Sequence, residues 1–236
     1  MANELKIRDT FMAVSQDVDN EFEREMAEQM AGAQMSFPRA KVPSGGLLVF
    51  DCGDDNPKTL TGVIVEQHPF NVFWHDPTVI NGAVPDCSSV DGMHGIRSNP
   101  NIEGPSGNCQ NCELNRWGSG FGGRGKACSN KKAVYILRDG ETVPTELNLP
   151  ATSIKPFDQY LSFLRQSNKL LSDVVTEISL ERQTKGDNTY SVCRFTRVAD
   201  LGEAAKLEAR AYARSMRGMV RSNGFVEVEE EDPFNV

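Results

Sequence analysis

The chain has 236 residues, 39% of them apolar, and a formal net charge of −8, enough for one large domain with elaborations or two small ones. No apolar run approaches the ~18 residues of a membrane helix. The start, Met1-Ala2-Asn3-Glu4-Leu5-Lys6, lacks the basic and apolar regions of a secretory signal, so a soluble, intracellular protein with no membrane partner is expected.

The acidity is terminal. Residues 1 to 31 hold eight acids and three bases, and residues 224 to 236 hold five acids and no base, which leaves a net of +2 for the middle of the chain. Between residues 114 and 138 lie Arg116, Arg124, Lys126, Lys131, Lys132 and Arg138 with no Asp or Glu. A local basic field inside an acidic chain fits a polyanionic partner better than the overall charge does.

From about Asp17 to Ala31 the chain is rich in Glu, Met and Ala without Gly or Pro, which predicts an acidic helix within a segment 1–35. After Pro38 the pattern turns to strands: Gly46 to Phe50, then the β-branched run Leu60 to Glu66, which Phe70 to Trp74 extends or follows. A stretch of Gly, Ser, Asn, Pro and Cys from about 83 to 130 shows little periodicity and reads as a loop module. A third strand is expected at Ala133 to Leu137, ended by the turn pair Asp139-Gly140. Ser153 is placed to cap a helix with Ile154, Phe157, Tyr160, Leu161 and Leu164 on one face and Pro156 in its first turn. Val174 to Leu180 and Tyr190 to Val198 then form a hairpin about Lys185-Gly186-Asp187-Asn188. In 201–223 the residues Lys206, Arg210, Arg214, Arg217 and Arg221 fall on one helical stripe, either a solvated face partly paired with Glu203 and Glu208 or a contact for phosphate or for the acidic tail.

These elements predict a mainly β fold. Five strands with one helix between the third and fourth is the order of an OB-fold, a small barrel flanked here by helices, spanning 36–200 with the loop module inserted between strands two and three.

The module contains Cys109-Gln110-Asn111-Cys112, a C-x2-C pair, with Cys87 upstream and Cys128 downstream. One tight pair supplies two thiolates from a single turn and the flanking cysteines close a tetrahedral shell, which is the pattern of a structural Zn²⁺ site. His94 is an alternative fourth ligand in place of Cys87. Unligated or disulfide-bonded cysteines are the other reading, although six cysteines, with Cys52 and Cys193 isolated in strand-like segments, suit a reducing compartment better than a disulfide framework.

Binding single-stranded nucleic acid takes flat rings for base faces interleaved with cations for phosphates. Candidates are Phe73 and Trp74 after the second strand, Arg116, Trp117, Phe121, Arg124 and Lys126 in the module, and Lys131, Lys132 and Tyr135 at the third strand. Phe73 and Tyr135 serve equally as core residues. Trp117 is the stronger stacking candidate, because the Gly-rich run Arg116 to Lys126 has little with which to bury two large rings. Gly125-Lys126 is followed by Ala127-Cys128 instead of Ser or Thr, so the run is not a nucleotide-phosphate loop. No clustered carboxylates or Ser/His/Asp set points to catalysis, and His68 and His75 have no evident catalytic partner. The tail carries Glu229, Glu230, Glu231, Asp232, Pro233 and Phe234, a disordered acidic segment with an aromatic near its tip, suited to a pocket with a basic rim.

On these residues the chain resembles bacteriophage single-stranded DNA-binding proteins. The cysteine module inserted in an OB-like domain is similar in kind to that of T4-type helix-destabilising proteins, with a different ligand order and spacing. The tail Glu231-Asp232-Pro233-Phe234 is similar to the acidic Pro-Phe-ended tails of bacterial single-stranded DNA-binding proteins, except that Asn235 and Val236 follow it. The resemblance implies a non-enzymatic, sequence-tolerant binder of single-stranded DNA in the cytoplasm of the host cell, structural zinc, and recruitment of replication or recombination proteins through the tail. Two other readings stand beside it: a zinc-containing protein-interaction module acting on a polymerase or host factor, and a nucleic-acid-processing enzyme.

Overall fold

In the computed structural model, residues 36–53, 55–76, 84–98 and 107–222 are described, those at 218, 219, 221 and 222 by backbone alone. The expected N-terminal acidic helix and the tail from Glu229 to Phe234 lie outside the described residues. Among those described, no helix is long and apolar enough to cross a membrane.

The fold is mainly β. Strands β1 (Arg39–Ala40), β2 (Thr59–Phe73), β3 (Cys87–Ser89), β4 (His94–Arg97), β5 (Gly107–Asn108), β6 (Ser129–Arg138), β7 (Thr145–Leu149), β8 (Val174–Lys185) and β9 (Asn188–Asp200) form one sheet, with helices α1 (Ala151–Gln166) and α2 (Glu203–Ser222) packed on it. The path runs β1-β7-β6-β2-β3-β4-β5, and β8 branches from β2 to carry β9. All pairings are antiparallel except β1 with β7.

β2 organises this arrangement. One edge pairs with β6 along most of its length, and the other pairs with β8 at Thr59–Gly62 and with β3 at Asn71–Phe73. The register against β6 slips between Ile64 and Glu66. Such a bulge inverts the side-chain alternation of the strand, so odd-numbered Val63 and Val65 share one apolar cluster with even-numbered Phe70 and Val72. Ala133, Tyr135 and Leu137 of β6 join that cluster, and α2 covers it with Ala205, Ala213, Met216 and Val220. On the opposite face Leu60, Ile64, Val134, Ile136, Leu147, Leu149 and Ile178 pack with Phe157 of α1, which is fully buried.

Several sequence expectations need correction. Gly46 to Phe50 is not a strand: Gly45 and Gly46 hold positive φ angles of 65° and 73°, which turn the chain, and Leu47 and Leu48 are exposed while Phe50 is buried. The strand that takes its place in the count is β7, whose mixed sequence TELNL carries no alternation strong enough to announce it. The segment Phe70 to Phe73 continues β2 without a break. α1 starts at Ala151, not after a Ser153 cap; Pro150 ends the preceding strand, and Ser153 is a buried helix residue whose Oγ accepts the Cys193 amide at 2.9 Å. Pro156 therefore lies inside the helix and not in its first turn. The sheet does not close into a barrel, because β9 pairs only with β8 and the outer edge of β7 is taken by β1.

The basic stripe of α2 is divided: Lys206 pairs within the helix, as expected, and Arg210 and Arg217 anchor it to the rest of the fold. Lys206 pairs with Glu203 at 2.6 Å, Arg210 with Asp173 at 2.6 Å and Arg217 with Glu66 at 2.9 Å. Asp173, whose side chain is only 3% accessible, also accepts the Leu170 amide. Burial alone would raise the Asp173 carboxyl, but the hydrogen bonds from Arg210 and Leu170 hold it below its ordinary value of 3.8. Because the folded-state value lies below the unfolded one, this stabilisation is complete above about pH 4 and is lost as the pH falls through the depressed folded value. Replacing Asp173→Asn is expected to lower stability at neutral pH and to flatten the acid limb of the stability profile, read by urea denaturation between about pH 6 and pH 2.

Candidate cysteine-held nucleic-acid interface

The end of β2 draws the cysteine module together. Phe73 pairs with Cys87 on one side and Val72 with Ser129 on the other, so Cys87 and the residue before Ser129, Cys128, flank the same strand end although far apart in sequence. β4 brings Gly95 beside them. A Cβ at Gly95 would stand 3.3 Å from Cys87 Sγ and 3.5 Å from Cys109 Sγ, a contact that the missing side chain avoids. The Cys109 amide donates to the Met93 carbonyl at 2.8 Å and the Cys128 amide to the Leu114 carbonyl at 2.9 Å.

Cys87, Cys109, Cys112 and Cys128 all line one cavity of about 30 Å³, together with Asn71, Gly95 and Asn115. That is room for a water or an ion and far too little for a nucleotide. All six cysteines of the chain are free thiols. Among the described residues, no three of His, Cys, Asp and Glu already stand in coordination geometry; the four thiols converge short of it. Burial, followed by the charges of Cys109, Cys112 and Cys87, pushes the Cys128 thiol up to about 12. Burial, then Cys109 and Cys112, raises Cys87 likewise. Four cysteines around one small cavity fit a site completed by a thiophilic cation, which binds the deprotonated form and offsets the cost of ionising Cys87 and Cys128. The donor set is all sulfur, the composition Zn²⁺ favours.

The alternative ligand His94 is held elsewhere. Its Nδ1 lies 2.6 Å from Asp91 Oδ2, its side chain is exposed, and it does not line the cavity. Asp91 also accepts the Met93 and His94 amides and the Ser89 hydroxyl. Burial would raise its carboxyl, but these bonds, His94 first, hold it far below the ordinary carboxylate range. The Asp91–His94 pair therefore belongs to the β3–β4 turn.

The Gly-rich run beyond Cys112 is stitched and not loose. The Gly118 amide donates to the Gly125 carbonyl at 2.6 Å. Ser119 Oγ lies within reach of the Leu114 and Arg116 carbonyls and accepts the Ala127 amide. This frame holds Trp117 at 81% exposure and leaves Phe121 fully exposed, beside exposed Arg116 and Arg124.

The other expected nucleic-acid contacts separate from this rim. Phe73, Lys131 and Tyr135 are 6%, 7% and 5% exposed; Phe73 lines the cysteine cavity, and Tyr135 lies in the cluster that α2 covers. Tyr135 packs edge-on to Phe37, stacks on His68 and lies 3.3 Å from His68 Nε2. Lys132 faces α1, where it pairs with Asp158 at 2.6 Å and sits over the Phe157 ring. Trp74 is half-buried beyond β2. Lys126 Nζ donates to Asn115 Oδ1 at 3.1 Å and to Asn130 Oδ1 at 2.7 Å.

Sequence reasoning missed Asn71, Asn115, Asn130, Asp91 and Ser119, which hold the module in place. Isolated amides and hydroxyls in a polar loop carry no periodic signal. No family model, curated protein or solved structure matches the chain.

At Gly120 an added Cβ would collide with the Arg124 carbonyl oxygen, so Gly120→Ala must reshape the run. The expected result is faster hydrogen exchange at the Gly118 amide with little change in the global unfolding midpoint.

Proposed function

We propose that this chain is a sequence-tolerant single-stranded DNA-binding protein with a structural Zn²⁺ held by Cys87, Cys109, Cys112 and Cys128. The observation that carries the reading is the pair Trp117 and Phe121, two large rings held almost wholly in solvent between two exposed arginines. Exposing rings of this size on a stitched loop forfeits burial that a packing role would use. A single strand supplies the missing partners: base faces for the rings and phosphates for Arg116 and Arg124. A duplex offers no free base face, which is why single strands are preferred.

The connectivity supports an OB-type core. Of the five principal strands, β2, β6, β7, β8 and β9, the helix α1 follows the third, and β8 returns to pair with the first. In such folds the loop between the first two strands contributes to oligonucleotide binding, and here that loop is the cysteine module. α2 covers the β2–β6 face, which leaves the module as the main contact. The acidic tail with Phe234 is proposed to recruit replication or recombination proteins.

Trp117→Ala and Phe121→Ala are each expected to weaken oligo(dT) binding by about 1–3 kcal/mol, measured by fluorescence anisotropy at two salt concentrations against a duplex control. Binding by the unaltered protein should fall steeply with salt as displaced counterions are released, and a chelator should abolish it. The same exposed rings also suit a hot spot for a protein partner. Binding that is absent for oligo(dT), or that ignores ionic strength, would favour that second reading.

A further inference from the structure

We propose that Lys126 is a positioning residue for the cysteine site and not a phosphate contact; this rests on the zinc reading above. Its ammonium closes a continuous polar chain around the cavity. On one side Lys126 Nζ donates to Asn115 Oδ1, and Asn115 Nδ2 donates to the Cys109 carbonyl at 2.8 Å. On the other it donates to Asn130 Oδ1. Asn130 Nδ2 then donates to Asn71 Oδ1 at 2.6 Å, and Asn71 Nδ2 to the Gly92 carbonyl at 3.1 Å.

One cation thus joins the C-x2-C knuckle, through Cys109, to the end of β2, the start of β6 and the β3–β4 turn. Asn71 and Asn115 also line the cysteine cavity, so the chain runs along its wall. Remove the ammonium and two amide oxygens lose their donor together, which breaks the side-chain tie between the knuckle and the sheet edge and leaves the backbone bonds of Cys109 to Met93 and of Cys128 to Leu114.

A cation suits this place better than a neutral donor. Four thiolates with one Zn²⁺ carry a net charge of −2, and bonds from outside the ligand shell fix ligand orientation and metal affinity. Lys126 lies two residues from Cys128, so its charge stands close to the ligand set. The contrast with Arg116 and Arg124 is direct. All three side chains are exposed, but Arg116 and Arg124 have no ion pair or side-chain hydrogen bond among the described residues, whereas two of the three protons on Lys126 already have acceptors.

The test uses full-length protein as purified with zinc, and the variants Lys126→Gln, Lys126→Arg and Asn115→Leu. Three readouts are taken: the rate of zinc transfer to a chromogenic chelator, the slope of log affinity for oligo(dT) against log salt, and trypsin cleavage after Arg116 and Arg124. Lys126→Gln is expected to release zinc roughly 10-fold to 100-fold faster with the salt slope unchanged. Asn115→Leu should do the same, and Lys126→Arg should retain zinc nearly as the unaltered protein does, since a guanidinium still donates to both asparagines. Unchanged zinc release in Lys126→Gln with a slope smaller by about 0.7, the value of one single-strand phosphate contact, would overturn the assignment. If the unaltered protein holds no zinc, the metal reading fails by itself and trypsin decides the role of Lys126. Faster cleavage in Lys126→Gln then supports positioning, and unchanged cleavage refutes it.

Discussion

The packing of α2 on the sheet depends on the bulge in β2. A strand of 15 residues that kept strict alternation would present one set of side chains to α2 along its whole length. The slip between Ile64 and Glu66 changes which residues face the helix halfway along. It places Glu66 under Arg217 and Phe70 and Val72 in the α2 cluster. Beyond the slip the strand still pairs along both edges, with β3 on one and β6 on the other. The apolar cover of α2 over the far half of β2 follows from that single inserted residue.

The module is a second layer built on this frame. Its short strands and Gly-rich run contribute few apolar side chains, so its order comes from hydrogen bonds to backbone carbonyls and from the convergence of the thiols. Ser119, Asp91 and the Asn71–Asn130 pair each join segments that no apolar contact would hold. Such a design leaves large rings free for a partner while keeping the backbone beneath them fixed.

Much of this was legible in the sequence, for identifiable reasons. The β8–β9 hairpin follows from alternation broken at Gly186-Asp187, and the buried face of α1 follows from the spacing of Phe157, Tyr160 and Leu164. The four cysteines announce themselves by type and spacing, and the exposure of Trp117 and Phe121 follows from the glycines around them. The rest depends on tertiary placement. Nothing local distinguishes Lys132, which reaches Asp158 on a helix, from Arg116, which reaches solvent. Tyr135 reads as a stacking platform until the bulge and α2 bury it. β7 stays hidden because its strand character comes from pairing with β6 and β1 instead of from its own side chains.

The placement of Cys87 and Cys128 on either side of the end of β2 bears on the order of assembly. Val72 and Ser129 meet across a long intervening chain, and closing such a loop is slow and entropically costly. Until that pairing and the one between Phe73 and Cys87 exist, only the knuckle at Cys109 and Cys112 is local. The insertion is therefore not a self-contained miniature domain: two of its four cysteines are placed by the sheet, so the site needs a sheet already in register.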